Sequence, residues 1–234
     1  MNITKTLAAQ SEHNSNMNTS PIATTLIIDY RKRYSAVRML DILGATTGLV
    51  LSAPLFALVA LLLKITSPGP VFYRASRIGY KGGAFTILKF RSMTVDADKQ
   101  GAAITSAKDS RITPIGQVLR KWKLDELPQF INILIGNMSL VGARPEAPNY
   151  VDKYNCEQLA ILDFKPGLTS PASMKFRDES SLLAGDNWEE YYTQEIMPAK
   201  LEIDLRYLKK RSVWTDIIVI LRTVIAVVRR QKID

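Results

Sequence analysis

Between Ile42 and Leu63 the chain reads ILGATTGLVLSAPLFALVALLL, 22 residues without a charge. As an α-helix rising about 1.5 Å per residue, such a run reaches roughly 33 Å, enough to cross the hydrocarbon of a bilayer. A helix this apolar must be covered by protein or by lipid. Pro54, close to its middle, removes a backbone donor and kinks or breaks the helix. Each limb, Ile42–Ala53 and Leu55–Leu63, is then too short to span but long enough to enter the bilayer and return. Charge sets no orientation, because Arg31, Lys32, Arg33 and Arg38 precede the run and Lys64, Arg74, Arg77 and Lys81 follow it. Basic flanks on both sides suit a re-entrant hairpin with both ends on the cytoplasmic face. A proline-kinked spanning helix satisfies the same residues. Arg38 and Asp41 share one helical face at the boundary, where pairing would ease the burial of Asp41.

The remaining composition narrows the chemistry. Lys and Arg number 31 against 22 Asp and Glu, a net charge of +9. That excess favours an anionic partner: nucleic acid, acidic lipid headgroups or a phosphorylated substrate. Cys156 is the only cysteine, which rules out an internal disulfide and any multi-cysteine metal site. It reads as a small buried hydrophobe. The only histidine, His13, lies in an Asn- and Ser-rich N-terminal stretch. A Ser-His-Asp triad or a histidine-rich metal site in the folded body is therefore not expected. Catalysis, if present, falls to carboxylates, Lys, Arg, Tyr and a hard metal ion.

Three segments follow. Residues 1–28 show no sustained periodicity and read as a disordered or loosely attached tail. Residues 29–65 form the basic flank and the membrane helix, and residues 66–234 a cytoplasmic domain. In that domain VFYRAS and FTILKF alternate as strands around the turn GYKGG, a small β-hairpin. PIGQVLRKWK predicts a short helix, and Leu127, Phe130, Ile131 and Leu134 predict another that ends at Gly136. KPGLTSPAS (165–173) reads as a loop. AKLEIDLRYLKKR is helical. A last helix sets Trp214, Ile217, Ile218, Leu221, Val224, Ile225 and Val228 on one stripe, with Arg222 interrupting it. It is too short and too charged to span. Packing on the body is the commoner fate of such a stripe, and lying on the membrane surface the other. The fold class is α+β and helix-rich.

The stretch KLDELPQF puts Asp125 and Glu126 side by side before Pro128. In its plain reading, Asp125 caps a helix and Glu126 suits the first turn. That reading leaves the surroundings unexplained. Arg111, Arg120, Lys121 and Lys123 lie upstream, and GNMSLVGARPE with Arg144 lies downstream. Guanidiniums beside a helix start suit phosphate. Two carboxylates in such a place can divide labour, one attacking phosphorus and one helping to hold Mg²⁺ on phosphate oxygens. Lys89 and Arg91 of KFRSM face substrate phosphates, the membrane or plain solvent.

SPGPVFY, RIGYKGGAFTILKFRSM, DSRITPIGQVLRKWKLDELPQFINILIGNMSLVGARPE and KPGLTS resemble, in order and spacing, the bacterial sugar transferases. These are monotopic polyprenyl-phosphate phosphoglycosyl transferases, and the resemblance runs from Arg38 to Val228. It implies transfer of a sugar 1-phosphate from a nucleotide diphosphate sugar, usually UDP-linked, to polyprenyl (undecaprenyl) phosphate. That step initiates lipid-linked glycan or exopolysaccharide synthesis at the cytoplasmic face of a bacterial inner membrane. By the same resemblance Asp125 is the nucleophile and forms a phosphosugar ester, and Glu126 partners it and helps with Mg²⁺. Arg144 holds phosphate, with Arg111, Lys89 and Arg91 as further candidates. Arg38, Asp41 and Pro54 match the family's re-entrant motif. The chain departs from the usual pattern at Val37, Ala53, Asn137, Ala143 and the PGLTSPAS loop. None of these is in the acidic pair, but the loop change puts the choice of sugar in doubt. The resemblance is to the short, core-only type. Competing readings are a Mg²⁺-dependent diphosphate hydrolase and a basic membrane-anchored scaffold. No nucleic-acid motif appears, and the last apolar stripe is a surface on which two copies could pair.

Overall fold

The computed structural model describes residues 21–97, 109–183 and 187–229. The expected tail lies outside this range up to residue 20, as does His13, and by Pro21 the chain is helical.

Helix α1 (Pro21–Thr66) contains Pro54 and is not ended by it. Proline leaves the Val50 carbonyl without its usual donor. One turn earlier the Ser52 hydroxyl donates to the Gly48 carbonyl at 2.6 Å, a back-bond of the kind that bends helices.

One seam of α1 is buried. Val37, Asp41, Ala45, Val59 and Leu63 lie on it, spaced so that they share a face. Gly44 and Gly48 let the helix close on the body, since a Cβ there would sit 2.6 Å from Leu140 Cδ1 and 2.7 Å from Phe130 Cζ. Further along, Val59 and Leu63 cluster with Phe90 and Leu119, and Leu55 and Phe56 pack against them. On the other side Leu43, Val50, Leu51, Leu58, Leu61 and Ile65 are exposed. Over Tyr34–Thr66 the helix is long and apolar enough to cross a membrane.

Strands β1 (Phe72–Ile78) and β2 (Ala84–Phe90) pair antiparallel, Tyr73 opposite Lys89 and Arg77 opposite Phe85. The alternation that predicts them puts Ala75, Phe85 and Ile87 inward against Ile133, Met138 and Val141. Helix α2 (Pro114–Lys121) starts from Thr113, whose hydroxyl accepts from the Gly116 amide at 3.0 Å. A tight turn over Leu124–Glu126 leads into α3 (Gln129–Leu134), and Gly136 follows with φ of +92°.

Strand β3 (Ser139–Val141) runs parallel to β4 (Gly167–Thr169). The expected loop KPGLTSPAS is therefore a strand followed by a helix, α4 (Pro171–Lys175). Gly167 permits the pairing, because a Cβ there would lie 2.1 Å from the Gly142 amide nitrogen. Three residues are too few for alternation to show.

Helices α5 (Met197–Lys209) and α6 (Val213–Arg229) close the body. The stripe on α6 points away from it: Trp214 is 77% exposed, and Ile218, Leu221, Val224, Ile225 and Val228 are exposed as well. The side facing the body carries Asp216, Val219 and Thr223, the last in hydroxyl contact with Thr169 at 2.8 Å. Packing, the commoner fate, is not what this stripe does. Cys156, expected in the core, is exposed on a short turn of helix.

Candidate active site

Asp125 and Glu126 lie in the tight turn between α2 and α3, not at a helix cap. Lys123 opens the turn with φ of +57°, a left-handed conformation that a lysine rarely adopts. Neither acid makes a capping bond. Both are buried, 5% and 9% exposed.

Their bonding is unequal. Glu126 receives both prongs of Arg144, Nη2 on Oε1 at 2.5 Å and Nη1 on Oε2 at 3.2 Å. Lys89 from β2 adds its ammonium to Oε1 at 3.3 Å. Asp125 Oδ1 is buried with no hydrogen-bond partner among the described residues. Burial, then the charge of Glu126, push the Asp125 carboxyl above the ordinary aspartate range, while Lys89, Lys123 and Arg120 pull it partly back. Burial opposes ionisation of Glu126 too, but Arg144 and Lys89 overcome it and hold that carboxyl well below the usual range. Two adjacent acids are thus separated in strength. Glu126 is a fixed anion, and Asp125 is a carboxylate whose basicity is raised and whose oxygen is uncommitted, the profile of a nucleophile.

Part of the positioning comes from a residue the sequence reading passed over. Asn132 is fully buried. Its carbonyl oxygen accepts from the Leu88 amide at 2.9 Å and its amide donates to the Thr86 carbonyl at 2.7 Å. It therefore locks α3 to β2 one residue from Lys89. The available signal was an amide breaking the apolar stripe of α3. Arg120 donates from Nε to Ser92 Oγ at 2.8 Å and lies near enough to favour the Asp125 anion.

Other expected phosphate ligands are engaged elsewhere. Arg91 is buried and donates to the Ser67 and Pro68 carbonyls at 2.7 and 2.8 Å, bracing the turn after α1. Arg111 grips Asp109 at 2.9 and 2.6 Å and the Ala97 carbonyl at 2.7 Å. Arg38 and Asp41 do not bond to each other as expected. Arg38 donates to the Ile133 and Leu134 carbonyls at 2.6 and 2.8 Å, capping α3. Asp41 accepts from Ser139 Oγ and the Leu140 amide, both at 2.8 Å. The motif residues of α1 tie the helix to the segments that carry the site.

For a metal, the described residues hold no cluster of three or more His, Cys, Asp or Glu. Asp125 is the carboxylate with an oxygen to offer, and Glu126 is taken up by its cations. This donor set fits a Mg²⁺ that comes with phosphate oxygens of its own.

A buried carboxylate with an uncommitted oxygen beside an Arg- and Lys-clamped anion is an arrangement suited to phosphoryl transfer. The bacterial sugar transferase family matches residues 32–230, and the chain belongs to it. A Caulobacter vibrioides UDP-glucose:undecaprenyl-phosphate glucose-1-phosphate transferase is 38% identical over 200 residues, covering 84% of this chain and 69% of that protein. An Aeromonas hydrophila UDP-N-acetylgalactosamine-undecaprenyl-phosphate N-acetylgalactosaminephosphotransferase is 35% identical over 190 residues, covering 80% and 42%. The exopolysaccharide production protein ExoY of Rhizobium meliloti is 34% identical over 207 residues, covering 82% and 85%. The chain spans less than half of the Aeromonas protein.

Proposed function

We propose that the protein moves a sugar 1-phosphate from a UDP-sugar to undecaprenyl phosphate through an aspartyl-phosphosugar ester. In the first half-reaction a carboxylate oxygen of Asp125 bonds to the sugar-bearing phosphorus. The bond from that phosphorus to the nucleotide breaks, and UMP leaves with the electron pair. In the second, a phosphate oxygen of the lipid attacks the same phosphorus and Asp125 departs as carboxylate. The observation that carries this reading is the inequality of the two acids, with Asp125 uncommitted and made more basic first by burial and then by a Glu126 that Arg144 and Lys89 hold. The names of the relatives supply the substrate class.

Mg²⁺ would be held by Asp125 and the donor's phosphates, and when bound it would neutralise charge on phosphate oxygens. Glu126, clamped as it is, serves electrostatics rather than ligation.

The membrane arrangement belongs to the same proposal. Helix α1 is engaged by the body from Arg38, at the end of α3, to Leu63, beside Phe90. That is about 38 Å of helix path. The body grips the helix on one face near both ends of this path, and that packing supports a monotopic arrangement in one leaflet. The outward stripe of α6 then lies in the same interface, and its partner is lipid rather than a second copy. The body faces the cytoplasm of a bacterial inner membrane, where nucleotide sugars are.

The test is incubation of the purified protein with labelled UDP-sugar, comparing wild type with Asp125→Asn. Wild type should acquire covalent label and pass it to undecaprenyl phosphate. Label appearing as free sugar phosphate without a protein adduct would instead indicate a hydrolase, and a labelled adduct on Asp125→Asn would remove the nucleophile assignment.

A further inference from the structure

The phosphate-binding cations expected around the acidic pair are largely spent. Arg144 and Lys89 are both bonded to Glu126, Arg111 to Asp109, and Arg91 to two carbonyls. Arg77, near Arg144 and Lys89, makes no bond to an acid among the described residues. Arg77 lies on the inward face of β1 with Tyr73 and Ala75, and the pairing puts Lys89 and Phe85 on that face of β2. The neighbouring Ile78 amide donates to the Glu146 carbonyl at 3.1 Å, which draws the Arg77 end of the strand to the segment carrying Arg144. Arg77 is half-buried, and its one hydrogen bond among the described residues goes to the carbonyl of Ser76, its own neighbour, at 2.8 Å.

The acid that acts on it, Glu146, makes no hydrogen bond to it among the described residues and is engaged at Oε1 by other groups. Glu146 accepts from the Tyr192 hydroxyl at 2.5 Å and sits 3.9 Å from the Lys200 ammonium. Burial pushes the Arg77 guanidinium down from its ordinary range. Tyr73 and Glu146 offset this in part, and the like charge of Arg144 adds to it. The same field reaches Lys89, which feels Glu126, Arg144, Asp125 and Arg77 together. Lys89 and Arg144 hold the Glu126 anion, and Arg77 is close enough to both cations to raise the positive field they feel. A half-buried guanidinium that feels a second one and is bonded only to a backbone carbonyl among the described residues is a place where an incoming anion is favoured.

We propose that Arg77, with Tyr73 beside it, is the residue that binds the leaving phosphate of the nucleotide diphosphate donor. This rests on the phosphoglycosyl transfer reading and assigns a role that reading leaves empty. As the bond to the nucleotide breaks, charge grows on the departing phosphate. A guanidinium with its fork uncommitted meets that charge without giving up another bond. Arg144 and Lys89 could do so only by loosening their hold on Glu126. The division is therefore between cations that tune the nucleophile and a cation that receives the leaving group.

The experiment uses the full chain in nanodiscs, as wild type, Arg77→Ala, Arg77→Lys and Asp125→Asn. Two readouts are taken: the equilibrium affinity for UDP, which requires no turnover, and the steady-state constants for UDP-sugar and undecaprenyl phosphate. UDP affinity should fall at least tenfold in Arg77→Ala and recover in part in Arg77→Lys, and Asp125→Asn should form no adduct. In Arg77→Ala, kcat/KM for the UDP-sugar should fall about a hundredfold with the KM for undecaprenyl phosphate unchanged. Thermal midpoints of the Arg77 variants should match wild type, which a bracing role for the Ser76 contact would not allow. Unchanged UDP affinity in Arg77→Ala, a raised KM for the lipid phosphate alone, or no UDP binding by wild type would each overturn the assignment. If wild type binds UDP through Arg77 yet forms no phosphosugar adduct, the assignment of Arg77 stands and the proposed reaction falls.

Discussion

Asp125 and Glu126 are neighbours in sequence with opposite electrostatic fates, and the difference is measurable. Asp125 must be ionised to attack, so the acid limb of the pH–rate profile follows its raised pKa. Burial raises it first and the charge of Glu126 second. Glu126→Gln removes that charge and frees Lys89 and Arg144 to favour the Asp125 anion, so the acid limb should move to lower pH. The rate on the plateau should fall about 10²-fold, because a less basic carboxylate is a poorer nucleophile and the clamp is lost. Asp125→Asn should lose activity by about 10³-fold or more with no adduct by intact-protein mass spectrometry. An acid limb that stays in place in Glu126→Gln would mean that another group controls it. At this scale the acidic pair itself was legible, because two acids before a proline among basic residues is an unusual local pattern. What held each acid was not. Arg144 and Lys89 lie 18 and 37 residues from Glu126, and nothing local distinguishes them from Arg91 and Arg111, which the fold uses as braces.

Between elements, the contacts differ in how much they can give. A Cβ on Gly116 of α2 would lie 1.8 Å from the Ser92 carbonyl oxygen, a backbone atom, whereas on Gly48 it would meet the rim of the Phe130 ring. Gly116→Ala should therefore lower stability by about 1–3 kcal/mol and shift Arg120, with a fall in activity. Gly48→Ala should be milder in both, as chemical denaturation and turnover would show. Helices α4 and α5 meet through Asp204, 3% exposed, whose Oδ1 accepts from the Ala172 amide at 3.0 Å. Burial lifts its pKa from 3.8 to about 6, against the pull of that amide, Ser170 and Lys200. As pH rises past 3.8 the unfolded chain releases this proton before the folded one does. The stability it lends is full below the unfolded value and lost through about 6, a difference of about 3 kcal/mol. Asp204→Asn keeps an acceptor for Ala172 and cannot titrate, so its stability should drop less than that of wild type between pH 4 and 7. Equal slopes in denaturant titrations would rule this out. The hairpin and the longer helices of this scale were readable from period 2 and period 3.6 patterns. The parallel pairing of β3 with β4 was not, since it rests on two glycine backbones meeting rather than on a side-chain pattern.

For the whole molecule the question is how it sits on lipid. The apolar run was the plainest feature of the sequence, yet periodicity shows that a stripe exists and not which way it faces. Helix α6 turns its stripe outward, and its inner face is held by Asp216, bonded to Arg211 and Tyr207. Trp214→Glu with Leu221→Glu should therefore reduce the fraction bound to liposomes without lowering the thermal midpoint. A fall in midpoint would mean these side chains pack on the body. For α1, cysteines placed at Ser35 and Pro68 in a Cys156→Ser background should both resist labelling from outside intact cells. Labelling of either would mean that the segment spans.

Helix α1 is a wall of the core as well as an anchor, and this bears on how the protein can be handled. Ala45 packs with Ile133, Met138 and Val141, and Val59 and Leu63 with Phe90 and Leu119. A fragment cut to begin at Ser67 would leave those side chains bare, and with them the support beneath the Leu124–Glu126 turn. Trimming such a protein to obtain a water-soluble enzyme should give an aggregate, and detergent chosen for extraction must preserve a protein–protein seam as well as replace lipid.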